Sequence, residues 1–348
     1  MWEVIGQERA VSLLRHGLES GKLAHAYLFT GPEHVGKMTL AKNLAQALNC
    51  EAAERPCLKC PSCVKIAARR HADVQVIGLI KNGDADATEA KLIGIDQVKE
   101  MQHAANLPPF EGKHKVFIFK NAELLSIDAA NRLLKTLEEP VANVTFILLT
   151  VNDKLLPLTV ISRCQRLELA PMSLAAETAA LIEKKGLEPQ RARLLAGLSH
   201  GCPEWAIAAA DNDSLVLQRN EELDRLLAVI GADDEERFAY VARLAARFSQ
   251  DRAAVYRVLD LWRDFWRDLM LQKLGLDVMI INIDHQAELV EMAADYRLEQ
   301  IKGFIDSLHA AAERLRQNAN SRLALEVLML DIPLKEGGKA VGHLSFRT

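Results

Sequence analysis

Several things are scarce in this 348-residue chain. Aromatic residues make up only 5% of it, and there is no excess of charge of one sign: 43 Lys and Arg stand against 47 Asp and Glu, a net charge of −4. A near-neutral balance excludes a global basic field, so any contact with nucleic acid must come from a local patch or from a complex. No apolar run is long enough to span a bilayer, which argues against a membrane protein. Met1–Gly6 opens with Trp2 and Glu3 and lacks the apolar core of a secretory signal, so the expected compartment is the cytoplasm. In that compartment disulfides are not expected, and the six cysteines need another reading. What is abundant is Ala, Leu, Glu and Arg, with 49% hydrophobic residues overall, enough for a helix-rich protein of two or three domains.

The most informative stretch is Gly31–Thr39, GPEHVGKMT. It follows an apolar strand-like run, Ala26–Thr30, and precedes a helical segment, Leu40–Leu48, which is the context of a phosphate-binding loop. Gly31 and Gly36 allow the backbone to approach an anion, the helix N-terminus points its dipole at it, and Lys37 adds a mobile positive charge. The pattern asks for a hydroxyl directly after the lysine as a Mg²⁺ ligand. Met38 stands there, and Thr39 comes one place late. The loop is therefore suited to the phosphates of ATP or ADP and poorly equipped for Mg²⁺.

Cys50, Cys57, Cys60 and Cys63 form C-x6-C-x2-C-x2-C. Four thiolates at that spacing suit a closed tetrahedral Zn²⁺ site of structural type. The bland alternative is four reduced cysteines without metal.

Further along, Glu8–Ser20, Ile95–Asn106 and Asp128–Leu137 read as helices. Asp73–Ile80, Val116–Phe119, Val144–Thr150 and Leu167–Leu169 read as strands, and Lys81–Lys91 as a polar loop. This alternation predicts an α/β domain with a parallel sheet over residues 1–168. After Pro171 only helices are expected. Leu174–Lys185, Arg191–Ser199 and Glu204–Ala210 suggest a three-helix unit over 169–212. Longer helices over 213–334 follow, among them one continuous stripe, Gln286–Gln317, and then a loose tail, 335–348. Trp262 and Trp266, four apart, read as core rather than as a nucleic-acid platform.

A hydrolysing enzyme with this loop needs an acidic pair at the end of the next sheet strand. Here Lys120 and Asn121 follow Val116–Phe119, and Glu123 falls in the turn beyond. Two metal-handling elements are thus missing.

Taken with Ile5-Gly6-Gln7, LAHAYLF (Leu23–Phe29), NRLLKTLEEP (Asn131–Pro140), TFILLTVN (Thr145–Asn152), Ser162-Arg163-Cys164 and Asn320–Leu330, these segments resemble the delta-prime and gamma/tau subunits of the bacterial DNA polymerase III clamp loader, within the AAA+ superfamily. The resemblance runs nearly the full length. It implies a P-loop AAA+ domain, a helical lid and an all-α collar. It implies gamma/tau and delta subunits as partners, and contact with the sliding clamp and primer-template DNA through the complex. It implies that Arg163 reaches into a neighbour's ATP site, that Asn152 is a polar sensor, and that Cys164 is a small buried residue. Such a chain is part of a DNA-directed DNA polymerase holoenzyme rather than an ATPase by itself. Hydrolysing relatives carry a sensor arginine in the stretch that looks like Gly201–Ala206; the matching position here is Trp205. Three losses favour the delta-prime type. The alternative is a gamma/tau-like ATPase with Glu123 as the acid; an unrelated zinc-dependent DNA-binding protein would need a basic stripe that the cysteine region lacks.

Overall fold

The computed structural model describes residues 2–79 and 92–335. The loop expected at 81–91, the end of the strand expected at Ile80, and the tail beyond Lys335 lie outside the described residues. The chain divides into two compact units. The first takes in residues up to Leu187 together with Ser199–Ile207. The second takes in Glu188–Leu198 and everything described from Ala208 on.

In the first unit the order is α1 (Glu8–Glu19), β1 (Ala26–Thr30), α2 (Lys37–Asn49), α3 (Pro61–Ala67), β2 (Val74–Ile77), α4 (Ile95–Asn106), β3 (Lys115–Phe119), α5 (Ile127–Glu138), β4 (Val144–Thr150), α6 (Leu158–Ile161), β5 (Gln165–Glu168) and α7 (Leu174–Lys185). The five strands form one parallel sheet in the order β2-β3-β4-β1-β5. The register runs Ala26↔Phe146 to Thr30↔Thr150 on one side of β1 and Tyr27↔Gln165 to Thr30↔Glu168 on the other. β1, β3 and β4 are buried throughout, as interior parallel strands covered on both faces must be, and they are the apolar runs of the sequence. Alternate residues serve opposite faces. Tyr27, Phe29, Val116, Ile118 and Ile147 pack with α1 and α2, while Leu28, Phe117, Phe119, Phe146 and Leu148 pack with α4 and α5. The result is a three-layer α/β/α sandwich. The Gly31–Thr39 loop lies at the carboxyl end of β1, where such sheets bind ligands.

The chain continues through α8 (Pro189–Leu198), α9 (Pro203–Asp211), α10 (Ser214–Gly231), α11 (Asp234–Gln250), α12 (Arg252–Lys273), α13 (Gln286–Asp295), α14 (Leu298–Arg316) and α15 (Ser321–Leu330). α7 and the start of α9 group with the sheet, and α8 with the bundle. The bundle is built around α12, whose Trp262, Phe265 and Trp266 are fully buried. Trp266 meets Phe304 at 4.7 Å and Tyr296 at 5.4 Å between ring centroids, so both tryptophans are core residues. One expectation is corrected here. The stripe over Gln286–Gln317 is not one helix, because Tyr296 is extended (φ −125°, ψ 145°) and separates α13 from α14. Burying its ring against Trp266 takes the backbone out of the helix. α14 then restarts with the Gln300 side chain accepting from the Arg297 N–H at 2.8 Å.

Candidate functional site

The phosphate loop is shaped by two glycines that no other residue could replace without strain. Gly31 has φ 146°, and a Cβ there would lie 2.3 Å from the Leu169 carbonyl oxygen. Gly36, the N-cap of α2, has φ 109°, and a Cβ there would lie 2.9 Å from Val4 Cγ2. The loop opens on a cleft of about 320 Å³ whose lining includes Lys37, Met38, Arg69, Lys120 and Glu204. Its functional groups are engaged within the chain. Lys37 Nζ donates to the carbonyls of Gly31 and Pro32, each at 2.6 Å. Thr39 Oγ1 donates to Glu204 Oε1 at 2.5 Å, and the Glu204 N–H donates to the His34 carbonyl at 3.1 Å. Burial pushes the Lys37 ammonium down from its usual range; the carboxylates of Glu123, Glu33 and Glu204 oppose that shift.

No carboxylate extends from the end of β3. Lys120 is exposed, Asn121 adopts a left-handed conformation (φ 57°), and Glu123 lies in the turn that follows. One Glu123 oxygen, Oε2, is buried without a hydrogen-bond partner. Met38 packs partly into the apolar layer around α2 and offers no hydroxyl. Asn152 closes its own turn: its side chain accepts from the Lys154 N–H at 3.1 Å and its N–H donates to Thr150 Oγ1 at 3.1 Å.

At the other end of α2 is the cysteine corner. Cys50 caps the helix, and Cys60 and Cys63 are delivered by the start of α3, with Pro61 as its first residue. The four Sγ atoms lie within 4.8 Å of one another, so these cysteines could hold a metal ion. Tetrahedral thiolate–zinc bonds of about 2.3 Å place sulfurs roughly 3.8 Å apart, which this cluster can meet. The Cys57 N–H donates to Cys50 Sγ at 3.4 Å and the Cys60 N–H to Cys57 Sγ at 3.3 Å. The backbone N–H of Lys59, then that of Cys60, draws the Cys57 thiol down to about 6, whereas burial pushes the Cys63 thiol up. Cys164 is different: it is half-buried against the core rather than fully buried as expected, and burial alone pushes its thiol up to about 12.

Arg163 stands in the turn between α6 and β5, with about a third of its side chain exposed. Its Nη2 is 2.6 Å from Glu138 Oε1, and its Nη1 donates to the Thr159 carbonyl at 2.9 Å.

The family model described as DNA polymerase III, delta subunit, matches residues 6–173. The delta-prime subunit of DNA polymerase III from Bacillus subtilis is 28% identical over 332 residues, covering 95% of this chain and 97% of that protein. The chain is thus similar to the delta-prime and tau/gamma subunits of DNA polymerase III. The tau subunit of the same organism is 26% identical over 354 residues; the chain spans only 61% of that longer relative. A solved structure of a gamma-subunit-related protein from Thermotoga maritima is 15% identical, with 93% of this chain and 98% of that one covered at a TM-score of 0.42.

Within this chain, Gly31, Gly36, Lys37 and Thr39 gather at one loop and the four cysteines at one corner. Asn152 lies at the end of β4, and Arg163 belongs to a separate turn. Two residues escaped the reading of the sequence. Glu204, not its neighbour Trp205, reaches the phosphate loop. Glu138, inside the NRLLKTLEEP run, pairs with Arg163. Their only signal was charge next to a motif; the contacts span 165 and 25 residues of chain.

Proposed function

We propose that the chain is a delta-prime-like stator of the DNA polymerase III clamp loader. In this reading it sits at one end of a five-subunit ring that places the sliding clamp on primed DNA. Residues 213–334 form the collar that holds it there, 169–212 a lid, and gamma/tau and delta subunits are its neighbours. The cysteine corner binds a structural zinc ion, which cross-links α2, the loop after it and α3. The chain does not hydrolyse ATP itself; it lends Arg163 to the ATP site next door. The observation that supports this best is Lys120 on the cleft, at the strand end where hydrolysis needs a carboxylate for Mg²⁺.

Arg163 is always charged, and its planar fork suits phosphate oxygens. Exchanging its surface pair with Glu138 for a phosphate is inexpensive, since such pairs contribute roughly 0.2–1 kcal/mol. Arg163→Ala should leave assembly intact and lower DNA-stimulated ATP hydrolysis by the complex, because arginine fingers supply about 10³–10⁵ in kcat at the site they complete. Unchanged hydrolysis in a normally assembled complex would rule the finger out. One observation favours a second reading, a gamma/tau-like ATPase: Glu123 is the carboxylate that acts most strongly on Lys37, and its Oε2 is buried without a hydrogen-bond partner. Turnover by the isolated chain, abolished by Lys37→Ala, would establish that reading instead.

A further inference from the structure

Helix α2 has no acidic residue in its first turn and no side-chain cap at its N-terminus. A helix N-terminus carries roughly half a positive charge and several free N–H groups, and it is stabilised by an anion. The anion near this one comes from far along the chain. Glu204 is placed by a tightly determined turn. Ser199 Oγ donates to the buried Glu177 carboxylate at 2.7 Å, and the Met172 N–H donates to the Gly201 carbonyl at 2.9 Å. Gly201 has φ 82°, where a Cβ would meet the Met172 carbonyl oxygen at 2.5 Å. From that turn Glu204 binds the loop twice, through Thr39 Oγ1 and through the His34 carbonyl. Lys37 Nζ donates to the carbonyls of Gly31 and Pro32.

We propose that Glu204 is a resident carboxylate on the wall of the phosphate-loop cleft, bonded to Thr39, and that the chain excludes nucleotide unless Glu204 is displaced. This rests on reading Gly31–Thr39 as a phosphate loop and goes beyond it: the loop is self-liganded rather than vestigial. A nucleotide phosphate must compete with a negative charge already bonded to Thr39, and it gains no metal to screen the repulsion. Once Glu204 is removed, the cleft retains three cations, Lys37, Arg69 and Lys120, against one carboxylate, Glu33, a net positive lining. The ligand that fits the emptied site is a nucleoside diphosphate or triphosphate without its divalent ion.

The test is binding of a fluorescent ADP to the full-length isolated chain, in EDTA and in Mg²⁺, for wild type, Glu204→Gln, Glu204→Ala and the double variant Lys37→Ala/Glu204→Ala. The isosteric Gln variant keeps the shape of the turn, and thermal melts confirm that each variant folds. The proposal expects Glu204→Ala to bind at least tenfold more tightly than wild type, Glu204→Gln to lie between them, EDTA not to weaken binding, and the double variant to lose it. If wild type binds as tightly as Glu204→Ala and the double variant does not bind, the loop holds phosphate and the carboxylate does not exclude it. If no variant binds ADP at millimolar concentration, the phosphate-loop reading falls and the proposal with it. The Arg163 assay in the assembled complex is unaffected by either result.

Discussion

The two ends of α2 have solved opposite problems. At its C-terminus, where the helix dipole is negative, Cys50 begins a ring of four sulfurs. At its N-terminus, where the dipole is positive, Gly36 leads into a loop whose cation and hydroxyl already have partners in the chain. Each end is suited to the charge that complements the dipole, a metal cation at one and an anion at the other. They differ in where that charge comes from. No protein side chain substitutes for a divalent cation among four thiolates, so the zinc site proposed for the corner would take its ion from solution. A carboxylate does substitute for a phosphate, and Glu204 is in place. On the proposed reading, one end of the helix needs its ligand to be stable, and the other is stable without one.

The sharpest way to break this contrast is at the cysteines. Structural zinc sites contribute on the order of 10 kcal/mol or more of binding free energy, which is also folding free energy. Cys60→Ser should abolish zinc in the purified protein, measured by atomic emission, and should strip hydrogen-exchange protection from residues 50–67 while the sheet stays protected. Full protection in a metal-free sample would show that the corner, like the loop, is satisfied by the chain alone.

The next effect tests the turn that carries Glu204. Burial pushes the Glu177 carboxyl up to about 7, against the opposing pull of the Ser199 hydroxyl, the Gly201 N–H and His200. A carboxyl raised in the folded state holds its proton more tightly there than in the unfolded chain. Its stabilising contribution is therefore complete below the ordinary carboxylate range, near 4.3, and is lost as pH rises through about 7. Between pH 5 and pH 8 the loss should be about 2–3 kcal/mol. Glu177→Gln should flatten that dependence in urea denaturation. An unchanged pH profile would mean that the carboxylate is not what the turn is built on.

Such couplings mark the limit of what the residues in order reveal. β1 and β4 were legible to the residue, since Ala26–Thr30 and Val144–Thr150 are apolar on both faces and bounded by polar turns. The loop and the cysteine spacing were legible because their chemistry is local. The interruption at Tyr296 was not, because the apolar period runs straight through it and only the position of Trp266 in space makes an extended tyrosine favourable. Glu204 was invisible for a related reason. A glutamate at a helix start is ordinary, and its meaning depends on a loop 165 residues earlier arriving beside it.

The smallest effect concerns the backbone that lets the two ends differ. Cys50 closes α2 at φ −71°, which any residue adopts, whereas Gly36 opens it at φ 109°. Gly36→Ala should cost about 1–2 kcal/mol, from a conformation that L-residues avoid and from contact with Val4. The two causes are separable. Val4 is a side chain and can be shortened, so in the double variant Val4→Ala/Gly36→Ala the contact disappears while the φ penalty remains. A strongly negative coupling energy in that cycle, measured by urea denaturation, assigns the glycine to close packing of the N-terminal segment on the loop. Additive costs assign it to the backbone turn that aims the first N–H groups of α2 at an anion, and only this second result makes Gly36 part of the same device as Glu204.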